Sequence, residues 1–295
     1  PETITVPIEK REAAPGPLAM VSALSLCPTR RSMVMATEVW QTLPPMPTRP
    51  APAQEGYAAI NGIELYYATY GSGPPVLLLH GGLGNSDYLG KLIPALASSH
   101  KVIVMDSRGH GRSTRDAQPY SYDLMASDVL GLMDFLGISQ ADIVGWSDGG
   151  IIGLDIAMNH PGRIGRLFAF GANSTLAGLK KGFDTNPTFA AYIERAGQEY
   201  AQLSQTPTEY DDFLNQVGAM WGSQPNWSAA DLARIKTPVM IADGEHDEAI
   251  RREHTEEMAR QVPGAELLIL PGVSHFAMLQ DPALFNRAVV DFLAQ

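Results

Sequence analysis

Compact apolar runs alternate with stretches of helical periodicity from Tyr57 to the C-terminus. A short apolar run predicts a strand covered on both faces, and a longer stretch with one apolar face predicts a helix. The predicted strands are 63–70, 76–79, 102–105, 142–144, 167–170, 238–242 and 267–270. The predicted helices are 87–97, 122–136, 148–159, 251–261 and 282–293. Strands and helices that alternate over this length indicate an α/β fold with a doubly wound, mostly parallel sheet.

Two segments depart from this alternation. Residues 1–55 hold 10 of the 22 prolines, which predicts a leader that is disordered or serves as a targeting segment. Residues 172–228 are rich in aromatic residues, Thr and Gly and contain no clean strand. We interpret them as a helical lid inserted between the two parts of the core, 56–171 and 229–295. Ligands in open α/β sheets bind beyond the carboxyl ends of the strands, which is where such a lid would lie.

Two motifs in the leader bear on targeting. The apolar run 18–27 follows Lys10 and Arg11, as in a signal sequence, but acidic residues nearby weaken the basic character that such a signal needs. The sequence TRRSM at 29–33 resembles a twin-arginine signal, although the segment after it is short and soon meets prolines. The compartment therefore stays open between the cytoplasm and export.

Composition excludes several classes of protein. The net charge is −11 with an isoelectric point near 5.0, and an acidic chain without a basic stripe binds nucleic acid poorly because it cannot neutralise phosphates. Cys27 is the single cysteine, so an internal disulfide and a cysteine-based zinc site are both excluded. No apolar run approaches the ~18 residues of a membrane span. We expect a soluble globular protein that acts on a small molecule, and no feature of the sequence indicates an oligomeric state.

The sequence VGWSDGG at 144–150 lies between an apolar run and a helical pattern. A serine flanked by glycines in a strand–turn–helix context is the form of a nucleophile elbow. Gly145 and Gly149 permit the sharp turn and the close approach of the helix, which leaves the Ser147 hydroxyl exposed above the sheet. The pattern therefore predicts Ser147 as a catalytic nucleophile.

A nucleophilic serine needs a base and an acid that orients it. His275 follows the last apolar run, at the end of the sheet where the chemistry is expected. The sequence IADGEHDEAI at 241–250 ends the preceding strand and supplies carboxylates, of which we choose Asp247 as the orienting acid. Asp243 is nearer the strand and is the alternative, or it ties down the turn. The chain order Ser147, Asp247, His275 is the one found in α/β-hydrolases.

An oxyanion hole requires two N–H donors. The first is the backbone N–H of Asp148, directly after the nucleophile. The second should come from the loop LLLHGGLGNSD at 77–87, where Gly82 is the first choice and Leu83 the second. In the same loop we expect His80 to order the backbone rather than transfer protons. The alternative is that the glycines merely turn the chain.

Other motifs predict supporting and substrate-binding roles. The sequence DSRGHGRS at 106–113 suits a hydrogen-bonded turn that supports the elbow, so Arg108 and His110 are not assigned to catalysis. Asp148, Leu83 and Trp221 are predicted to contact substrate. Several aromatic residues of the 172–228 segment either line an aromatic-accepting pocket or pack the core of the lid. They are Phe183, Phe189, Tyr192, Tyr200, Phe213, Trp221 and Trp227.

Together these motifs resemble the α/β-hydrolase superfamily from residue 57 to the C-terminus. The sequence GWSDGG followed by FGANS at 170–174 is similar to the valacyclovir-hydrolase, or biphenyl-hydrolase-like, group. The resemblance implies that Asp148 recognises the α-amino group of amino-acid esters. A simpler interpretation is that Asp148 caps the helix, where the dipole favours a carboxylate by roughly 0.3–1 kcal/mol, or that it faces an arginine.

The expected function is that of a serine hydrolase that cleaves a carboxylic ester or lactone, including an amino-acid ester, through an acyl-enzyme. No metal and no organic cofactor is expected to take part. One alternative is a carbon–carbon bond hydrolase of dienoic ring-cleavage products with the same triad. Another, from a different class, is a small-molecule receptor on a hydrolase scaffold.

Overall fold

The structure is a computed structural model that describes residues 37–295. The apolar run 18–27, the motif at 29–33 and Cys27 lie outside these residues, so the targeting hypotheses remain predictions. No helix within 37–295 is long and apolar enough to cross a bilayer.

The core is an eight-stranded sheet with the order β1-β2-β4-β3-β5-β6-β7-β8. The strands are β1 Gln54–Ile60, β2 Ile63–Tyr70, β3 Pro75–Leu79, β4 Lys101–Met105, β5 Ala141–Trp146, β6 Ile164–Phe170, β7 Val239–Gly244 and β8 Glu266–Leu270. Strand β2 pairs antiparallel with β1 and β4, and the remaining neighbours pair in parallel. The predicted α/β-hydrolase fold with a mostly parallel sheet is therefore confirmed.

Helices cover both faces of this sheet. They are α1 Ile93–Ala97, α2 Tyr122–Phe135, α3 Asp148–Asn159, α4 Pro187–Leu203, α5 Tyr210–Trp221, α6 Ala229–Leu232, α7 Arg252–Gln261, α8 Ala277–Gln280 and α9 Pro282–Leu293. Alternate side chains of a strand enter opposite cores: Leu77 belongs to the core that also contains residues of α2, α3 and α7, whereas Leu78 belongs to the core that contains residues of α1, α8 and α9. This is why the central strands contain continuous apolar runs, such as VLLL at 76–79 in β3 and VIVM at 102–105 in β4.

Besides the short helices α6 and α8, which the pattern does not predict, one strand and one helix differ from the prediction. Strand β1 was not predicted, because Gly56, Ala58 and Ala59 give it little β propensity, and it forms by pairing with β2 across a turn at Asn61 and Gly62. The predicted helix 87–97 is instead a short 3₁₀ turn, Ser86–Leu89, followed by α1. Pro94 lacks an N–H, so it stands in the first turn of a new helix and cannot continue an earlier one.

Residues 42–53 contain neither helix nor strand, which agrees with their high proline content. They run along the surface of the sheet and its covering helices, which we call the body. Leu43 and Met46 pack against the core beneath α1, α8 and α9. Between β6 and β7, residues 172–228 form α4, α5 and two short 3₁₀ turns; we call this segment the insertion. It therefore leaves the sheet at the carboxyl end of β6, next to the end of β5.

Candidate active site

Ser147 lies at a sharp turn between β5 and α3. Its φ of 54° is in the left-handed region, and its N–H donates to Phe170 O at 2.8 Å. The turn requires glycines on both sides. A Cβ on Gly145 would lie 2.2 Å from Gly149 O, and one on Gly149 would lie 2.2 Å from Leu79 O. The strained backbone holds the serine at the carboxyl edge of the sheet, where it lines a cavity.

His275 and Asp247 form a buried pair at the same edge. His275 lies in the loop between β8 and α8, and Asp247 lies in the loop between β7 and α7. The distance from His275 Nδ1 to Asp247 Oδ2 is 2.6 Å, and the residues are 1% and 3% exposed. Asp247 Oδ1 accepts from the N–H groups of Ala249 and Ile250 at 2.6 and 2.7 Å. The carboxylate is thus fixed, and it orients the imidazole.

Burial lowers the pKa of His275 below its ordinary value, against the opposing pull of nearby carboxylates. The imidazole is therefore neutral at pH 7, as a proton acceptor must be. Within residues 37–295, no hydrogen bond joins the imidazole to the Ser147 hydroxyl. Asp243 ties down its turn instead, since it accepts from Thr255 Oγ1 at 2.7 Å and from Gly244 N at 2.8 Å.

The loop after β3 lies against the elbow. A Cβ on Gly81 would be 3.0 Å from Ser147 Cβ, and one on Gly82 would be 2.5 Å from Asp148 Oδ2. Leu83 has a φ of 65°, which turns the loop sharply. In the described part of the chain, neither the Gly82 N–H nor the Asp148 N–H donates a hydrogen bond to the protein. Both N–H groups therefore lack a hydrogen-bond acceptor in the described residues.

Buried polar residues support this loop from behind. His80 Nε2 accepts from Ser107 N at 2.9 Å and its Nδ1 contacts Gly81 O at 2.7 Å, so Nδ1 carries the proton and the ring is neutral. Arg108 pairs with both carboxylate oxygens of Asp128, at 2.7 and 2.8 Å. Asp106 accepts from backbone and side-chain donors of the same region. These contacts are those of a structural brace.

Asp148 points its carboxylate into the site rather than capping α3. Its Oδ1 accepts from the Tyr122 hydroxyl at 2.9 Å, and its Oδ2 accepts from Trp221 Nε1 at 2.9 Å. The residue is 6% exposed, and no Lys or Arg among residues 37–295 forms an ion pair with it. Burial raises its pKa to about 6, although both hydrogen bonds oppose the shift. It is a desolvated carboxylate held by neutral donors.

The cavity above Ser147 has a volume of about 230 Å³. One part of its wall is polar and the other part is apolar. The polar residues are Ser147, Tyr122, Asp148, Asn173 and Gln224, and the larger apolar residues are Leu179, Phe183, Phe189, Trp221 and Ile250. Trp221 was predicted to contact substrate and lines the cavity. Leu83, which is 4% exposed in the core, is not one of the lining residues in the described region.

Several lining residues were not found by sequence reasoning. Tyr122 begins a helix and Gln224 follows another, and nothing in their local patterns marks them. Asn173 stands in FGANS directly after β6, and its position at a strand's carboxyl end was the available signal. Tyr192, Tyr200 and Phe213 instead pack inside the insertion and against the body. Within residues 37–295, no three His, Asp or Glu side chains are arranged to hold a metal ion.

Comparisons with known proteins agree with this geometry. A model of the alpha/beta hydrolase family matches residues 76–288. Serine hydrolase BPHL of Mus musculus is 27% identical over 248 residues, covering 80% of this chain and 84% of that protein. The 2-hydroxymuconate semialdehyde hydrolase of Pseudomonas sp. (strain CF600) is 29% identical over 260 residues, covering 79% and 92%.

A solved structure extends the comparison to three dimensions. The enol-lactonase from Burkholderia xenovorans LB400 superposes with a TM-score of 0.66 at 26% identity, and covers 81% of this chain and 100% of its own. Because the family model spans most of the chain, from β3 to α9, the protein is a hydrolase that belongs to the alpha/beta hydrolase family.

Proposed function

We propose that this protein is a serine hydrolase that cleaves a carboxylic ester or lactone through an acyl-enzyme. The observation that carries the proposal is the buried His275–Asp247 pair at 2.6 Å, at the same sheet edge as a serine held at positive φ on a cavity wall. Ser147 Oγ attacks the carbonyl carbon while His275 Nε2 takes its proton, and Asp247 stabilises the imidazolium. His275 then protonates the leaving alcohol, and water releases the acid by the same steps.

The oxyanion of the tetrahedral intermediate would accept from the N–H groups of Asp148 and Gly82. Asp148 directly follows Ser147, Gly82 lies against the Asp148 side chain, and neither N–H donates within the described chain. Preorganised donors of this kind stabilise charge that develops in the transition state. All of these steps use groups of this chain and water.

Asp148 supports a narrower substrate class, namely esters whose acyl group bears an ammonium. A charge pair about 4 Å apart is worth ~4 kcal/mol at an effective dielectric constant near 20, before desolvation costs. The carboxylate faces the cavity and has no cationic partner in the described residues, so a substrate cation would complete it. The similarity to serine hydrolase BPHL of Mus musculus supports the serine mechanism on which this assignment rests.

A carbon–carbon bond hydrolase is the second candidate, because the 2-hydroxymuconate semialdehyde hydrolase is a relative. Dienoic ring-cleavage products carry a carboxylate. The cavity wall has no Lys or Arg among its described lining residues and it presents the carboxyl of Asp148. An anionic substrate would therefore lack a charge partner, and the ester assignment is favoured.

The test compares p-nitrophenyl esters of phenylalanine and of 3-phenylpropanoic acid, which differ only in the amino group. We expect the wild type to prefer the amino ester by about tenfold or more, Asp148→Asn to erase that preference, and Ser147→Ala to lose about 1,000-fold or more of the activity. Equal rates on the two esters would contradict the amino-ester assignment alone. Activity that survives Ser147→Ala would contradict the serine mechanism, and a wild type as inert as Ser147→Ala on both esters would favour the carbon–carbon bond hydrolase or a receptor.

A further inference from the structure

Tyr192 of α4 joins the insertion to the loop that follows β3. Its hydroxyl donates to Gly82 O at 2.6 Å, across 110 positions of sequence. The side chain is 2% exposed, and its ring packs against Trp146 and Phe276 with centroid distances of 5.7 and 5.1 Å. A short hydrogen bond from a buried aromatic ring has little freedom, so the position of the Gly82 carbonyl follows the position of α4.

Peptide planarity carries this constraint to the N–H groups of the loop. In a trans peptide the C=O and the following N–H point in opposite directions. Gly81 O accepts from Gly84 N at 3.1 Å and contacts His80 Nδ1 at 2.7 Å. The Gly82 N–H belongs to the same peptide group, so it points away from Gly84 and His80. Tyr192 fixes the next peptide through Gly82 O. Both planes that flank Gly82 are therefore held, one by the loop itself and one by the insertion.

We propose that Tyr192 is a positioning residue for acyl transfer: by holding the Gly82 carbonyl, its hydroxyl fixes the backbone of Gly82 and with it the direction of the Gly82 N–H, the proposed oxyanion donor of this loop. The inference rests on the proposed serine mechanism. It assigns the insertion a part in the chemistry, in addition to enclosing the cavity. Small displacements of an oxyanion donor lower the rate steeply, because the stabilisation depends on donors that are already in place.

Tyr192→Phe removes the hydroxyl and keeps the ring. Tyr200→Phe is the matched control, since Tyr200 is also on α4, is 3% exposed, and bonds through its hydroxyl to Thr206 Oγ1 at 2.9 Å, away from the loop. The measurements are kcat and KM on a p-nitrophenyl ester, the Ki of a trifluoromethyl ketone that forms a hemiketal with the serine, and the melting temperature. For Tyr192→Phe we expect kcat to fall about 10- to 100-fold with KM within about twofold, and the inhibitor to weaken by a similar factor. Tyr200→Phe should keep both.

A second variant approaches the same contact from the other side. A Cβ on Gly84 would lie 2.9 Å from the Tyr192 hydroxyl, so Gly84→Ala should displace that oxygen and lower kcat. The loss should be smaller in a Tyr192→Phe background, where no oxygen is present to displace. The inference would be overturned if the losses in kcat of the two variants were additive in the double variant, or if the kcat of Tyr192→Phe were within twofold of wild type. In either case, activity that still depends on Ser147 would leave the serine mechanism intact. Activity that persists in Ser147→Ala would instead overturn the mechanism and this inference with it.

Discussion

At the scale of single residues, burial changes the pKa of the charged groups at the site, and Asp148 is the clearest case. Asp148 is a carboxylate on the cavity wall whose hydrogen-bond partners, Tyr122 and Trp221, are both neutral. Two neutral donors do not replace the hydration that the carboxylate loses, so its pKa rises to about 6. A buried charge that costs stability and faces a cavity is a common feature of functional sites.

Asp148→Asn tests this cost through its pH dependence. The pKa of Asp148 is about 6 in the folded protein, compared with 3.8 for the same carboxyl in the unfolded chain. The free energy of unfolding of the wild type therefore falls as pH rises between these values. The neutral amide of the variant does not ionise, so it has no such loss, and its oxygen can still accept both hydrogen bonds. The difference in the free energy of unfolding, variant minus wild type, should therefore be about 2–3 kcal/mol larger at pH 7.5 than at pH 4. Denaturant titrations at both pH values measure it, and a difference that does not change with pH would contradict the assignment.

At the level of elements, the close approach of α3 to the sheet holds the elbow. Gly149 packs its Cα against the backbone of Leu79, and Gly145 packs against Gly149. Backbone atoms on both sides leave no side chain that could move aside. The glycines therefore allow the helix to start directly above the sheet, with Ser147 at the turn.

Gly149→Ala should destabilise the fold by about 3 kcal/mol or more, because its Cβ would lie 2.2 Å from Leu79 O. Gly218→Ala is the control, since Gly218 is in α5 and nothing lies within 4 Å of the added carbon. That variant should gain about 0.5–1 kcal/mol from helix propensity. Chemical denaturation compares the two, and a Gly149→Ala protein within about 1 kcal/mol of wild type would be inconsistent with the close packing.

In the whole molecule, contacts far apart in sequence tie the described part of the leader to the body. Arg195 of α4 donates to the carbonyls of Leu43 and Pro44 at 2.8 and 2.7 Å. Gln280 of α8 donates to Thr42 O at 2.9 Å. The segment thus bridges the insertion, through α4, and the C-terminal helices, through α8.

Arg195→Ala removes both bonds to the segment. We expect a loss of about 1–2 kcal/mol in unfolding free energy, since these are charge-assisted bonds at a partly exposed site, together with faster proteolysis within residues 37–53. Urea denaturation and limited proteolysis with mapped cleavage sites measure the two effects. The exposed Arg287→Ala is the control, and equal behaviour of the two variants would mean that the segment does not depend on Arg195.

The sequence by itself determined the alternation of strands and helices, the glycine-flanked turn around Ser147, and the positions of Asp247 and His275 just after strands. These features are local, because periodicity and turn chemistry depend on residues a few positions apart. Even so, the weak β1 was missed, because its pairing with β2 outweighs its propensity.

Only the tertiary structure decided what surrounds these residues. Tyr122 and Trp221 meet Asp148 across 26 and 73 positions, and Tyr192 meets Gly82 across 110. Such partners are set by how helices pack on the sheet and by where the insertion crosses its edge. A local pattern carries no record of that packing, so the cavity wall and the support of its donor loop emerge only when the chain is folded.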